Sequence, residues 1–171
     1  MVGIPDLKRD DEALHIGQNT IEDKSNWPCY LLFYDIDNFH KINNECGHYI
    51  GDDIIKKVGS TLERESKDRA VLLHNGGDEF VLLLLKEGDN NSVYHFAYNI
   101  RQAISRDDYY EYFSKCKGKN KNIDNKTITL SIGICKSPYR NILFEDLLRK
   151  ADDALLQYAK RNKSGIKLLH I

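Results

Sequence analysis

A short stretch near the middle of the chain, LLHNGGDEFVLLLL, limits the possible folds more than any other. Two apolar runs, at 70–74 and 79–85, flank the tetrapeptide Asn75-Gly76-Gly77-Asp78. Because glycines adopt the positive φ angles that tight turns need, this pattern predicts two antiparallel strands joined as a hairpin. The turn ends in two adjacent acids, Asp78 and Glu79, whose charge needs a partner if the hairpin is buried.

The rest of the chain predicts strands and helices in a definite order around this hairpin. An apolar run at 29–36 is typical of a buried strand, and the apolar spacing at 51–66 is that of an amphipathic helix. The full order without the last two elements is β-α-β-β-α-β, the ferredoxin-like split unit. We therefore expect an α+β domain: a ferredoxin-like palm whose antiparallel central sheet is flanked by helices, with an extra C-terminal helix and strand. The remaining predicted elements are helices at 39–46, around 93–104 and at 144–161, and strands at 127–134 and 166–169.

Length and composition indicate one globular domain. A chain of 171 residues can bury a hydrophobic core without the help of disulfides or a structural metal. We divide it into a lead-in segment, 1–28, and a palm domain, 29–171. Its 25 basic residues are matched by 26 acidic ones, which disfavours DNA, RNA or membrane surfaces as partners. The four cysteines show neither CxxC pairs nor zinc spacing, so we expect reduced thiols in a cytoplasmic protein.

A second acidic cluster follows the first predicted strand, in the stretch DIDNFHKINNECGHYIGDD. In the split unit the first strand lies beside the hairpin, so Asp35 should approach Asp78 and Glu79. Three carboxylates repel one another unless a cation neutralises them, and a hard divalent ion such as Mg²⁺ or Mn²⁺ suits oxygen ligands. Such sites serve phosphate chemistry. The alternative is a surface hairpin whose acids are merely solvated.

Four ordered motifs resemble the diguanylate cyclase, or GGDEF-domain, family. The segment 76–80 reads GGDEF, and 35–52 follows the family's upstream pattern D-x-D-x-F-K-x-x-N-D-x-x-G-H-x-x-G-D nearly throughout. Further on, LSIGI at 130–134 and ADDAL at 151–155 are similar to the family's later strand and helix motifs. The resemblance covers most of the chain, from Leu31 to about Gly165.

The resemblance implies a metal-dependent nucleotidyl cyclase that condenses two GTP molecules into cyclic di-GMP. Asp35, Asp78 and the Ile36 carbonyl would hold the metal, and Glu79 would be a further ligand or help to deprotonate the 3′-hydroxyl. One palm holds one GTP, so the two 3′-hydroxyls would attack across a two-fold homodimer. The remaining assignments are Asn43 and Asp52 to the guanine edge, Phe39 and His40 to the pocket, and Gly76 and Gly77 to close approach of the backbone to the nucleotide.

Several positions depart from the family pattern. His40 stands where the family has a lysine, and His74 stands in place of the arginine two residues before the glycine pair. The cations expected to meet the triphosphate are Lys160 or Lys163, depending on the alignment. The start of the chain matches the family's first motif only weakly, so we expect either a cyclase fragment or a free-standing synthase.

Two other functions remain open from the sequence. One is a stand-alone enzyme similar to CRISPR-associated palm polymerases, which would make another cyclic nucleotide, including adenine-containing ones, in antiviral defence. The other is a catalytically weak domain that binds GTP as a sensor. The complete set of Asp35, Asp78 and Glu79 disfavours the sensor, because a binding module has little need for a costly acidic cluster.

Overall fold

A central five-stranded sheet, with strand order β2-β3-β1-β4-β5, organises the computed structural model, which describes residues 3–116, 127–137, 142–159 and 165–169. Strands β1 to β4 pair antiparallel, and β5 adds a parallel strand beside β4. This is the predicted α+β palm with its extra helix and strand, so the predicted fold class is confirmed. The elements are α1 (Asp11–Glu22), β1 (Tyr30–Ile36), α2 (Phe39–Cys46), α3 (His48–Ser66), β2 (Ala70–His74), β3 (Glu79–Leu84), α4 (Asn90–Arg106), α5 (Tyr110–Ser114), β4 (Leu130–Lys136), α6 (Phe144–Ala154) and β5 (Ile166–Leu169).

The sheet separates two apolar layers, because successive residues of each strand point to opposite faces. On one face, Tyr30, Leu32 and Tyr34 of β1 pack with side chains of α2, α3, α4 and α5. On the other, Leu31 and Phe33 pack with α1 and α6. Every residue of β1 is buried, as expected for the strand at the centre of the sheet.

The N-terminal segment contributes to the second layer. Ala13 and Ile21 of α1 are buried with Phe144 of α6. The Phe144 N–H donates a hydrogen bond to the Gln18 side-chain oxygen Oε1 at 2.8 Å. Asp10 caps α1 by accepting a hydrogen bond from the Glu12 N–H. The division at residue 28 stays a prediction.

Several element boundaries differ from the sequence prediction. Helix α3 begins at His48 rather than Gly51, directly after the turn at Gly47. Strand β4 runs from Leu130 to Lys136 rather than over 127–134, because β1 pairs with it as far as Tyr30 opposite Lys136. The predicted helix over 144–161 is helical throughout its described part, as α6 to Ala154 and then as a π turn, Leu155–Ala159, and its last two residues lie outside the described residues.

The expectation of four reduced thiols is wrong for two of them. Cys46, at the end of α2, forms a disulfide with Cys116, which follows α5. Cys29 and Cys135 are free and fully buried. The two partners lie 70 residues apart, so no local spacing pattern in the sequence marks them as a pair. A cytoplasmic location stays a prediction.

None of the helices in the described parts of the chain is both long enough and apolar enough to cross a bilayer.

Thiol counting tests the cysteine arrangement. Burial raises the pKa of Cys29 and of Cys135 to about 11, so both thiols stay protonated and shielded, and we expect alkylation at pH 8 to label neither in the native protein. Unfolding without a reductant should expose two thiols, and unfolding with a reductant four, measured by mass spectrometry. Four labelled cysteines before reduction would contradict the disulfide.

Candidate active site at the glycine hairpin

The register between β1 and β3 places Asp35 directly opposite Glu79. Directly opposed residues of an antiparallel pair project from the same face, with Cβ atoms about 4.5–5.5 Å apart. On its other side Asp35 is paired with Ser131 of β4, and its side chain is buried, with 5% of its surface exposed. The predicted approach of the first strand to the hairpin acids is therefore present for Asp35 and Glu79.

The backbone at the end of β1 also faces the hairpin. The Ile36 N–H donates to the Asp78 carbonyl at 3.2 Å. Because the N–H and C=O of one strand residue point to the same neighbouring strand, the Ile36 carbonyl faces the hairpin as well. The carbonyl predicted as a metal ligand thus lies on the side where Asp78 and Glu79 are found.

The turn itself depends on its glycines. Gly76 and Gly77 have φ angles of 80° and 57°, in the left-handed region that side chains rarely adopt. The turn is closed by a hydrogen bond from the Glu79 N–H to the Gly76 carbonyl at 3.2 Å and by one from the Asn75 N–H to the Glu79 carbonyl at 2.9 Å. These bonds fix Glu79 at the start of β3, at the end of the sheet.

Glu79 is held by two donors that the sequence did not identify. Asn75 Nδ2 donates to Glu79 Oε2 at 2.9 Å, and Lys8 Nζ lies 3.2 Å from the same oxygen. Lys8 comes from the N-terminal segment, 71 residues away in the sequence. No motif predicts this contact, because the segment around Lys8 has no apolar periodicity that would place it on the hairpin.

The donor set suits a hard divalent ion, since Asp35, Asp78, Glu79 and the Ile36 carbonyl offer only oxygen. Among the residues that the structure describes, however, no three His, Cys, Asp or Glu side chains form a ready-made metal cluster. Glu79 is engaged by Lys8 and Asn75 instead. The predicted ligands fit the ion by chemistry, and their convergence on one ion stays a prediction.

Asp37 anchors the loop that follows β1, a role that the sequence did not reveal. Its carboxylate accepts hydrogen bonds from Thr129 Oγ1 at 2.7 Å and Ser131 Oγ at 2.6 Å, and its N–H donates to the Thr129 carbonyl at 2.9 Å. The next residue, Asn38, has a φ of 59° and is the N-cap residue directly before α2. These bonds fix the entry into α2, which carries the predicted pocket residues.

The predicted guanine-reading residue Asn43 lies where α2 meets α3. Its Oδ1 atom is buried without a hydrogen-bond partner, and a Cβ built on Gly51 would come within 2.0 Å of it. A side chain at Gly51 would therefore displace the Asn43 amide. The Phe39 ring packs beside Gly51 as well and is buried, whereas His40 is exposed and its ring lies 2.9 Å from the Asn44 amide.

A cleft of about 450 Å³ opens between α3, the hairpin and the N-terminal segment. Its lining includes Asp52, the residue after Gly51, together with Gly77 of the turn. The basic side chains of Arg9 and Lys56 lie along the same cleft. Predicted base-reading and turn residues therefore border one space, while Lys160 and Lys163, predicted to meet the triphosphate, lie outside the described residues.

His74 joins the N-terminal segment to the turn. Its Nδ1 lies 3.1 Å from Asp6 Oδ2, and its Nε2 lies 3.0 Å from the Gly77 carbonyl. Burial alone would raise the pKa of Asp6, but hydrogen bonds from the Lys8 N–H and from His74, with the charges of His74 and Arg9, lower it. A charged Asp6 therefore supports the contact at neutral pH.

Comparison with known proteins agrees with this arrangement. Residues 11–165 match the family described as diguanylate cyclase, GGDEF domain. The chain is 28% identical over 141 residues to the diguanylate cyclase DosC of Escherichia coli, covering 82% of this chain and 28% of that protein. The diguanylate cyclase of Vibrio cholerae is 27% identical over 135 residues, covering 79% of this chain and 38% of that protein. The chain thus spans between 28% and 38% of the length of these relatives.

Solved structures share the fold. An EAL/GGDEF domain protein from M. capsulatus superposes with a TM-score of 0.73 at 27% identity, covering 92% of this chain and 94% of that one. The GGDEF domain of DgcB from Caulobacter crescentus, solved in complex with c-di-GMP, gives 0.74 at 23% identity, covering 96% and 91%. With the family match extending over most of its length, this chain belongs to the GGDEF-domain, or diguanylate cyclase, family.

Proposed function

We propose that this domain condenses two GTP molecules into cyclic di-GMP and two pyrophosphates. The observation that carries the proposal is the opposed pair Asp35 and Glu79 at the glycine turn, whose Gly77 lines the same cleft as Asp52. The names of the relatives support the same product, since DosC is a diguanylate cyclase and DgcB was solved with c-di-GMP.

The reaction is a double transfer of nucleotidyl groups. The 3′-oxygen of each GTP forms a bond to the α-phosphorus of the other, and the bond from that phosphorus to the β-phosphate oxygen breaks. Each step releases one pyrophosphate and one proton. With Mg²⁺ or Mn²⁺ bound, the metal would neutralise the phosphates and make the 3′-hydroxyl easier to deprotonate.

The acidic residues have separate tasks in this proposal. Asp35 is fixed by the central strand, so it would bind the ion together with the Ile36 carbonyl. Asp78, whose carbonyl is bonded to the Ile36 N–H, would supply a further ligand. Glu79, less buried than Asp35, would bind the ion or accept the 3′-hydroxyl proton once Lys8 no longer occupies Oε2.

Guanine would be recognised at the junction of α2 and α3. The Asp52 carboxylate accepts hydrogen bonds, and guanine offers N1–H and N2–H donors on one edge, whereas adenine presents an acceptor at N1. The buried Oδ1 of Asn43 supplies an additional acceptor next to Gly51. A polar site of this kind discriminates strongly, because the wrong base leaves its groups without partners.

A homodimer completes the site in this proposal. One cleft of about 450 Å³ has room for one nucleotide, so the second GTP must be presented by another palm. A two-fold arrangement places each 3′-hydroxyl at the other nucleotide's α-phosphate. We expect neither DNA nor RNA nor a membrane as partner.

We also place the domain in the cytoplasm, with its nucleotide substrate. The cytosol keeps thiols reduced, so the Cys46–Cys116 disulfide counts against this location. Alkylating intact cells before lysis measures the state of this pair directly.

The two other functions predict different products. A palm enzyme of the CRISPR type would make an adenine-containing cyclic nucleotide, and a sensor would bind GTP and make nothing. The Asp52 side of the cleft favours guanine, and the Asp35–Glu79 pair favours turnover. We therefore rank both behind the cyclase.

Replacing the hairpin acid should remove the activity. We expect Glu79→Gln to lower cyclic di-GMP formation about 10³-fold, because it removes a proton acceptor or metal ligand while keeping the shape. Chromatography of products from GTP with Mg²⁺ measures this. Glu87→Gln is the matched control, since Glu87 pairs with Arg69 away from the cleft and should leave product formation unchanged. No product from the wild type at high protein concentration, or an adenine-containing main product from mixed nucleotides, would contradict the proposed function.

Substrate choice should depend on Asp52. Asp52→Asn removes one acceptor and adds donors that face those of guanine, so we expect KM for GTP to rise about 10- to 150-fold, the value of a hydrogen bond to a charged group. Glu65→Gln is the control, because Glu65 lies further along α3, pairs with Arg64 and is outside the residues that line the cleft. Steady-state kinetics with equal KM values for both variants would remove Asp52 from the base site.

Dimer formation should appear in the dependence on concentration. If two palms share one reaction, the rate per protomer rises with protein concentration until dimers dominate. The rate per protomer is obtained from initial rates across a dilution series, and light scattering gives the molar mass at each concentration. A constant rate per protomer over a range where the protein is monomeric would rule out the shared site.

A further inference from the structure

A short N-terminal strap, defined as residues 4–9, lies along the outer edge of β2. The His74 N–H donates to the Pro5 carbonyl at 2.8 Å, and the Leu7 N–H donates to the His74 carbonyl at 2.8 Å. Asp6 forms a parallel bridge with His74. The strap is therefore attached by backbone bonds to the strand that leads into the glycine turn.

Side chains fix the strap to the turn as well. The His74 imidazole contacts Asp6 on one nitrogen and the Gly77 carbonyl on the other. Asp6 Oδ1 in turn accepts a hydrogen bond from the Lys8 N–H at 2.9 Å. These contacts set the position from which the Lys8 side chain leaves the strap.

The Lys8 side chain passes over Gly76 and ends at Glu79. A Cβ on Gly76 would lie 2.7 Å from Lys8 Cδ, so the stem rests on this glycine. The ammonium group lies 3.2 Å from Glu79 Oε2. The Lys8 side chain is 61% exposed, which leaves the ammonium group room to move while the strap stays in place.

We propose that Lys8 is a phosphate-binding residue of this site, an inference that rests on the proposed function. Glu79 cannot give its oxygen fully to both an ammonium group and a divalent ion. With a divalent ion bound, Glu79 would be one of its ligands, and the Lys8 ammonium group would leave Glu79 Oε2 and pair with a phosphate of the nucleotide. A lysine binds phosphate as a flexible point charge, so a small displacement is enough for this contact.

The inference also accounts for the glycine at position 76. Any side chain there would push the Lys8 stem away from the turn, since the stem and the glycine are already in contact. The cation arrives from the N-terminal strap, whereas the lysines predicted from the resemblance, Lys160 and Lys163, belong to the other end of the chain. Lys8 is thus an additional cation that no late-helix motif supplies.

A series of ligands that differ only in phosphate tests the proposal. The probes are guanosine, GMP and α,β-methylene-GTP, which the enzyme cannot cleave, titrated into the full chain by calorimetry with and without Mg²⁺. We expect Lys8→Ala to weaken binding of α,β-methylene-GTP about tenfold in the buffer with Mg²⁺, where Glu79 is taken by the ion, and to leave guanosine unchanged. Lys8→Arg should recover most of the affinity, because it keeps the charge.

Lys115→Ala is the matched control. Lys115 is 53% exposed and pairs with Glu111 at 2.8 Å, so it repeats the lysine–glutamate pair of Lys8 outside the residues lining the cleft. It should bind all three probes like the wild type.

Other results would overturn the inference. A loss confined to the buffer without Mg²⁺ would mean that Lys8 contacts no phosphate once the ion is bound, and an equal loss for guanosine would mean that it only supports the fold. If Lys8→Ala binds the triphosphate normally while the wild type makes cyclic di-GMP, the inference fails and the proposed function stands. If triphosphate binding depends on Lys8 but no cyclic product forms, the inference stands and the proposed function fails. A wild type that binds no triphosphate overturns both.

Discussion

The position of Asp35, a buried carboxylate at the end of the central strand, is the constraint on which the rest of the site depends. Both neighbouring strands pair with β1 along its length. The backbone of Asp35 therefore cannot move away from the hairpin without breaking these strand pairings. Burying a carboxylate is costly unless charge or hydrogen bonds offset it. The fold therefore holds an acidic group beside the turn in advance, and a bound cation would gain from an arrangement already made during folding.

Register then divides the site between the two layers of the domain. Asp35, Glu79 and Ser131 share one face of the sheet, on the side of α1 and α6. Asn43 and Asp52 belong to α2 and α3, which cover the opposite face. A nucleotide bound as proposed would extend its base toward one layer and its phosphates toward the other, so different elements of the chain would determine base choice and phosphate chemistry.

Much of this could be predicted from the sequence, because local signals determine it. The glycine turn and its flanking apolar runs specify the hairpin, and the order of elements then places β1 beside it, as the Asp35–Glu79 pairing shows. The start of β4 was predicted too early because the long-range bonds from Thr129 to Asp37 depend on the folded loop. The disulfide joins residues 70 positions apart, and no periodic pattern connects Lys8 to Glu79.

The strap shows why a histidine can stand where the family has an arginine before the glycine pair. An arginine would bring a fixed charge, whereas His74 uses one ring nitrogen for Asp6 and the other for the Gly77 carbonyl. Against the effect of burial, hydrogen bonds from the Lys8 N–H and from His74 help to lower the pKa of Asp6, so its carboxylate is ionised at neutral pH. The substitution therefore keeps a side chain that joins the strap to the turn, and this link depends on Asp6 remaining ionised.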